Sequence, residues 1–511
     1  GCSGLTGSIP GGLFNSCPNV TSFVYTFNYC VGLTGSIPNN LFANCSNVTE
    51  FNGTFNVCSG LTGSIPENLF ANCSKVTDFR GTFYHCSGLT GNTPTDADGG
   101  QLWERTGKIG YPSAIDGTKC FCGCKGLTRY YAIEPNWRCN EEYPLTLEFT
   151  TTAENEVIKL PCSGNVNIVV DWGDESAKET ITSNRPSHVY QTVGTYTVKI
   201  NGNFERMYKC SHNVTKVVSW GSMYIGLKNM SEAFINCSKL TSIPDDEYEA
   251  FINVTSFEDA FYNCSSLVTI PENLFVNCSN VISFANTFYS CRGLTGSIPD
   301  NLFAKCPNVT SFHYTFGGCS GLTGSIPEDL FKRCLNVTDF ANTFYSCGGL
   351  TGSIPDNLFA NCPNVTGFVY TFGGCSGLTG SIPNNLFTKC SNVTNFNGTF
   401  AACIGLTGSI PNNLFKSCPN VTNFNGTFGY CSKLTGLIPN NLFKSCPNVT
   451  NFAITFQYCT GLTGNTPTGT DGLELWERAG KDGYPSTITG NGCFRSCSKL
   501  SNYSSIPTKW K

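Results

Sequence analysis

The stretch that decides the fold runs Cys291-Arg292-Gly293-Leu294-Thr295-Gly296-Ser297-Ile298-Pro299-Asp300-Asn301-Leu302-Phe303-Ala304-Lys305-Cys306 and on through Pro307-Asn308-Val309-Thr310-Ser311-Phe312-His313-Tyr314-Thr315-Phe316-Gly317-Gly318-Cys319. It recurs from Cys264 to Cys459, and again over 2–86, with a period of 28 residues and occasionally 27. The apolar positions are Leu294, Ile298, Leu302, Phe303, Val309, Phe312 and Phe316, beside Cys291 and Cys306. A fixed period in this range marks a solenoid, because one such unit cannot bury its apolar face without stacked neighbours. Val-Thr-x-Phe alternates as a short strand does. Leu-Thr-Gly-Ser-Ile-Pro reads as a second extended segment stopped by Pro299, and Asn301-Leu302-Phe303 as one helical or 3₁₀ turn. Stacked strands lie about 4.8 Å apart, so the coils between Cys210 and Cys497 extend roughly 50 Å.

A longer repeat lies over the short one. Residues 1–138 return as 374–511 at a constant offset of 373. That offset predicts a longer tandem polypeptide, seen here as one full module preceded by the tail of another. Five segments follow: solenoid repeats over 1–88, a solenoid cap over 89–139, a β-sandwich over 140–206, solenoid repeats over 207–459 and a second cap over 460–511. Both caps carry an inserted Leu-Trp-Glu-Arg (102–105 and 475–478), and Trp103 and Trp476 are expected to close the open core.

The composition narrows the function. Net charge is −4 and only 13% of residues are charged, which gives no footing for nucleic acid or an anionic membrane surface. No apolar stretch is long enough to span a bilayer. The four histidines (His85, His188, His212, His313) sit in unrelated contexts with no nucleophile–base pair or metal motif, so no catalytic residue, metal site or cofactor is expected.

Most of the 31 cysteines fall into two columns on the repeat, one through Cys2, Cys30, Cys58, Cys86 and Cys264 to Cys459, the other through Cys17, Cys45, Cys73 and Cys278 to Cys446. They are either buried free thiols packing as small hydrophobes or a disulfide ladder. The second column has no member between Cys210 and Cys237 or between Cys237 and Cys264, which favours free thiols. Cys139 and Cys162 have no partner on the repeat, and one local disulfide between them is expected. A column of asparagines (Asn308, Asn336, Asn364, Asn392, Asn420, Asn448) opens the strand of each coil, where amides can hydrogen-bond from coil to coil; most also begin an Asn-x-Ser/Thr acceptor sequence. The positions that vary after Val-Thr would form any binding face, and the residues there with chemistry to offer are Tyr25, Arg80, His313, Tyr314 and Tyr370.

Two resemblances bear on these readings. Asn308-Val309-Thr310-Ser311-Phe312, Thr315-Phe316 and Cys319-Ser320-Gly321-Leu322-Thr323 resemble the BspA-like leucine-rich repeat surface proteins, over about three quarters of the chain. Val170-Asp171-Trp172-Gly173-Asp174, with His188-Val189-Tyr190 and Gly194-Thr195-Tyr196, resembles the polycystic-kidney-disease (PKD) type of Ig-like domain. The fold expected is therefore mostly β, a leucine-rich-repeat-type solenoid of about 28-residue coils interrupted by an Ig-like sandwich. The resemblances imply a non-catalytic protein of the extracellular cell surface. It is either a structural fibre of tandem modules contacting other copies of itself, or an adhesin that binds a host surface protein or glycan along the solenoid face.

Overall fold

A computed structural model of the chain describes every residue except 1–3, 96–98, 129, 131, 132, 135, 140–142, 223–225 and 470. Cys2, at the head of one cysteine column, lies outside the described residues. The chain divides into two compact units, Gly1–Glu142 and Tyr143–Lys511.

The second unit opens with antiparallel strands. Strands β1 (Leu145–Thr150), β4 (Asn167–Asp171), β5 (Glu179–Ile181), β7 (Thr195–Asn203) and β9 (Val214–Ser219) form one sheet in the order β5-β4-β7-β1-β9. Two small ladders, β2 (Glu156–Lys159) with β6 (Ser187–Tyr190) and β3 (Cys162–Ser163) with β8 (Arg206–Met207), share its buried residues. Alternation makes the sheet: Leu145, Leu147 and Phe149 of β1, Ile168 and Val170 of β4, and Val198 and Ile200 of β7 all point into one core. Trp172 is fully buried, its ring stacked on His188 at 4.7 Å, and its carbonyl accepts from the Tyr190 hydroxyl at 2.7 Å. Gly173 (φ +76°) turns the chain where any Cβ would meet the Thr197 carbonyl at 2.4 Å. The neighbouring carboxylates serve this turn, since Asp171 accepts from the Gly173 amide and Asp174 from Ser176 and His188.

The sheet extends beyond the expected boundary at 206. Strand β9 pairs with β1 on one side, and on the other it starts the solenoid, with the Val217 amide donating to Ser242 O at 3.0 Å. A single hydrophobic core therefore runs from Leu145 to Trp510. Joined this way, the first coil is covered by the sheet and exposes no free edge there.

Along the solenoid, coils stack in parallel through one bridge each: Ser256, Ser283, Ser311, Asp339, Gly367, Asn395, Asn423 and Asn451 pair in succession, ending on Thr489. The short strand expected at Val-Thr-x-Phe reduces to that bridge, because the chain turns out of the extended region three residues later. At that bend two residues sit in the left-handed region, as Tyr314 (φ 50°) and Gly318 (φ 75°) do, and they bracket the Thr-Phe pair. The Asn301-Leu302-Phe303 segment is a turn whose Leu302 and Ala304 amides donate three residues back, short of a helix.

Three phenylalanine columns fill the interior. Rings 284, 312, 340, 368, 396, 424 and 452 follow one another at 5.6–6.1 Å. Rings 288 to 456 and 275 to 443 run parallel to them, all buried. Full burial of each ring contributes about 1.5–3 kcal/mol. Beside them, buried threonines close main-chain groups between coils: the Thr343 hydroxyl lies 2.7 Å from Phe340 O and 3.0 Å from Phe312 O, and Thr315, Thr371, Thr399, Thr427 and Thr455 repeat the inter-coil contact.

The repeat cysteines are free thiols, nearly all buried. From Cys58 onward the members of the first column donate to a phenylalanine carbonyl of the coil before, as Cys319 does to Phe288 O at 2.9 Å and Cys347 to Phe316 O at 3.0 Å. Burial pushes thiols such as Cys291, Cys375 and Cys431 up to about 12, so they carry no reactive thiolate at neutral pH. The gap in the second column between Cys237 and Cys264 also has a cause. Phe251 stands at that position and packs on Trp220 (4.9 Å) and Phe257 (5.1 Å). The expected Cys139–Cys162 disulfide is not formed. Cys139 bonds instead to Cys122, with Cα atoms 4.5 Å apart, while Cys162 is a buried free thiol of β3 in the core of the other unit.

In the first unit the same coils stack on a core of their own, from Ile9 to Trp137. Both units end alike. Arg105 and Arg478 are buried at the insertion, under Tyr111 and Tyr484 respectively. Trp103 and Trp476 are half-buried and meet Trp137 and Trp510 edge-on at 6.2 and 6.0 Å. The last two rings do most of the covering: Trp137 lies on Gly117 and Trp510 on Gly490, where a Cβ would overlap the indole.

Candidate functional site

The first unit holds Tyr25 and Arg80, the second His313, Tyr314 and Tyr370. Arg80 is engaged by its own unit, bidentate on Asp78 and 3.6 Å from Asp116. An exposed pair of this kind adds little to stability, and it leaves the guanidinium partly neutralised towards any outside anion. Tyr25 is 52% exposed, with its ring over Gly53.

Tyr314 and Tyr370 are parts of a longer array. Rings Tyr262, Tyr289, Tyr314, Tyr345 and Tyr370 follow one another at 5.0, 5.1, 6.2 and 5.8 Å, mostly edge to face. His313 packs edge-on against Tyr314 at 4.7 Å. Its Nδ1 lies 3.4 Å from Asp339 Oδ2, an ion-pair distance without the alignment of a good hydrogen bond. Burial works against ionisation of Asp339, yet His313 and the Ala341 amide together hold its carboxyl below the usual range. Tyr314 is pushed up, first by burial and then by the neighbouring Tyr289, Tyr345 and Tyr370.

An alternation with a two-coil period builds this strip. Tyr314 and Tyr370 occupy the left-handed position of their coils, and three residues later each coil has glycine. Coils between them carry Asn286 or Asn342 at the left-handed position and Tyr289 or Tyr345 three residues later. The glycines are required, since a Cβ on Gly317 would meet the Tyr314 ring at 2.7 Å and one on Gly373 the Tyr370 ring at 2.8 Å. Further along, the strip stops at Gly398 and Gly426. Tyr289, Tyr345 and Tyr262 were not among the expected site residues, although the exchange of Tyr and Gly every second coil is visible in the sequence.

The conformation is expensive. Asparagine and glycine tolerate φ near +55°, whereas a bulky side chain there costs about 1–2 kcal/mol. Tyr314 (φ 50°) and Tyr370 (φ 48°) bear that cost on a partly exposed surface, where the core gains little from either ring. Ile454 (φ 48°) bears it too, packed beside Gly426 and Gly492 at the cap, as do Tyr25, Tyr29, Val57, Tyr430 and Tyr458 in their own coils.

The asparagine column bonds to the main chain. Nδ2 of Asn308, Asn336, Asn364, Asn392 and Asn420 donates to Ser279, Pro307, Leu335, Pro363 and Ser391 O of the preceding coil at 2.9–3.4 Å, and Asn448 makes no such bond. Among the described residues no group of three or more His, Cys, Asp or Glu is placed to hold a metal ion, and no helix is long and apolar enough to cross a membrane.

Residues 7–81 and 296–455 match the BspA type leucine rich repeat region, in six copies. Over those residues the coils are BspA-type leucine-rich repeats. Residues 228–356 of the same solenoid also match a Mycoplasma protein family of unknown function, DUF285. A comparison with curated proteins finds no match. Among solved structures, the leucine-rich repeat ectodomain of the Arabidopsis receptor kinase HAESA, bound to an extended IDA peptide hormone, is 15% identical, with 91% of this chain and 74% of that one covered and a TM-score of 0.19. HAESA in complex with IDA and a co-receptor gives 15%, 88%, 68% and 0.17. These scores are too low to add to the fold argument, which rests on the BspA-type coils themselves.

Proposed function

We propose that this chain is a non-catalytic adhesin of the extracellular cell surface, and that its BspA-type solenoid binds a partner protein through the tyrosine strip. The observation that carries this reading is the placement of Tyr314 and Tyr370. Left-handed side chains recur along the solenoid, and here two of them are tyrosines set against a tyrosine ring of the neighbouring coil, so that the interlocked rings between Tyr262 and Tyr370 form a rigid, amphipathic surface. Tyrosine brings large contact area at low entropic cost, which is why it dominates binding hot spots. His313 and Asp339 add a polar rim. In this reading the β unit over 140–206 is a sandwich of the PKD type that spaces the solenoid, supported by the buried Trp172, its bond to Tyr190 and the Asp174–His188 pair.

Tyrosine-directed chemical footprinting against a panel of immobilised matrix proteins tests the proposal. Tyr289, Tyr314, Tyr345 and Tyr370 are expected to lose reactivity together on complex formation, while Tyr430 and Tyr458 keep theirs. Unchanged reactivity along the strip, or protection by a glycan panel alone, overturns it.

The 373-residue offset favours a second reading, a fibre of tandem modules contacting other copies of itself. The reduced, denatured mass of the native polypeptide decides that: a fibre of this kind requires a value far above 55.2 kDa.

A further inference from the structure

A cleft recurs in both units, beside the cap and away from the tyrosine strip. In the second unit it measures about 570 Å³ and is lined by Asn412, Asn440, Asn465, Ile438, Pro439 and Gly464 among others. In the first, a cleft of about 440 Å³ is lined by the counterparts 373 residues earlier, Asn39, Ile65, Pro66, Gly91 and Asn92, with Glu67 in the place of Asn440. There it runs on into a further 560 Å³ that shares Glu67 and Asn92 and is walled by Trp103. Volumes of this size are in the range of small-ligand sites, about 300–1,000 Å³.

Three features give the ligand's chemistry. The first is charge. In the second unit the residue after the Ile-Pro step is acidic in five coils, Asp245, Glu272, Asp300, Glu328 and Asp356, then becomes an amide in the next three, Asn384, Asn412 and Asn440, as the solenoid reaches the cap. The cleft there is lined by no ionisable side chain, the first unit's cleft keeps the carboxylate of Glu67, and neither is lined by a cation that would favour an anionic ligand. The second is hydrogen-bonding capacity. The carboxamides of Asn412, Asn440 and Asn465 have no partner within the protein, and each offers two donors and an acceptor. Between them stands the exposed side chain of Leu437, over a floor of buried Ile438 and Pro439. The third is rigidity. Behind Asn465, Thr466 is fully buried and tied to the cap: its hydroxyl donates to Glu474 at 2.6 Å, and Asn502 Nδ2 donates to both Thr466 Oγ1 (2.7 Å) and Glu474 (3.1 Å). Thr93 and Gln101 form the corresponding contact in the first unit. A wall held this way is organised before any ligand arrives.

We propose that each cap cleft binds a neutral, hydroxyl-rich ligand, an uncharged oligosaccharide, with amides and, in the first unit, Glu67 meeting its hydroxyls, and Leu437 in the second unit or Trp103 in the first meeting its apolar face. The site is independent of the tyrosine strip.

Isothermal titration of the full chain with tetrasaccharides of glucose, mannose, galactose and N-acetylglucosamine, and with a sialylated tetrasaccharide for comparison, tests it. At least one neutral oligosaccharide is expected to bind at two sites per chain, and the sialylated one at neither. Asn412→Ala with Asn465→Ala is expected to halve the capacity to one site with Tm unchanged, because both side chains are exposed and bond to nothing internal. Absence of binding by every neutral member, equal binding of the sialylated one, or a capacity of two sites in the double variant each overturns the proposal.

Discussion

Two stretches of one solenoid share an interior and differ outside. The coils of Phe284 to Phe372 and those of Phe396 to Phe456 carry the same phenylalanine columns, the same buried threonines and the same thiol-to-carbonyl bonds, with ring spacings equal to within a few tenths of an ångström. Their left-handed positions before the Thr-Phe pair diverge: Tyr314 and Tyr370 alternate with Asn286 and Asn342 in the first stretch, whereas Gly398 and Gly426 lead to Ile454 in the second. Since glycine serves the bend without strain, the fold does not call for tyrosine there. The comparison separates what stacks the coils from what decorates them.

The claim of a common interior can be broken most severely with base. Burial raises the thiol pKa values, to about 12 for Cys291, Cys375 and Cys431. The folded state thus holds its protons longer than the unfolded one. Stability is complete below the unfolded value near 9 and is lost as pH rises towards 12, by about 1.4 kcal/mol per pH unit for each thiol. With a thiol column running through both stretches, both are expected to unfold together well before pH 12, followed by circular dichroism; a stretch that survives would mark thiols in a different setting.

Next in size are the rings. Phe344→Ala and Phe428→Ala occupy equivalent places, and each is expected to cost about 3–5 kcal/mol in urea unfolding. Costs that differ strongly would show that the interiors are not alike. A smaller effect sharpens the contrast outside. Gly398→Tyr adds a bulky residue at φ 62°, where its Cβ would meet the Tyr370 ring at 2.3 Å, and is expected to destabilise by about 1–3 kcal/mol. Smallest is Asn392→Ala. It removes one exposed bond to Pro363 O and is expected to cost about 0.5–1.5 kcal/mol by the same unfolding assay.

Much of this architecture can be read from residues. The period of Leu294, Phe303, Phe312 and Phe316 predicts a stacked core, and alternation in Leu145-Thr146-Leu147-Glu148-Phe149 predicts β1. Free thiols follow from the gaps in one cysteine column, although only the packing of Phe251 explains the gap after Cys237. Other features depend on tertiary context. Val309-Thr310 alternates like a strand, yet pairing stops at Ser311 because Tyr314 adopts a left-handed bend that local propensity disfavours. Cys139 and Cys162 look like partners because neither has a place on the repeat, but they belong to different units, and Cys139 is bonded to Cys122 of its own. For the binding face, Tyr314 and Tyr370 stand out as variable positions. Their neighbours Tyr289 and Tyr345 lie at another position of the coil and join the strip only through the paired glycines.

The central claim, that the strained tyrosines serve binding and not folding, is tested most directly by measuring Tm and matrix-protein affinity together for the chain carrying Tyr314→Gly and Tyr370→Gly. Relief of two left-handed side chains is expected to leave Tm unchanged or raised, while affinity for the matrix protein that the unsubstituted chain binds falls at least tenfold. A variant that melts markedly lower, or that binds as well as before, contradicts the account.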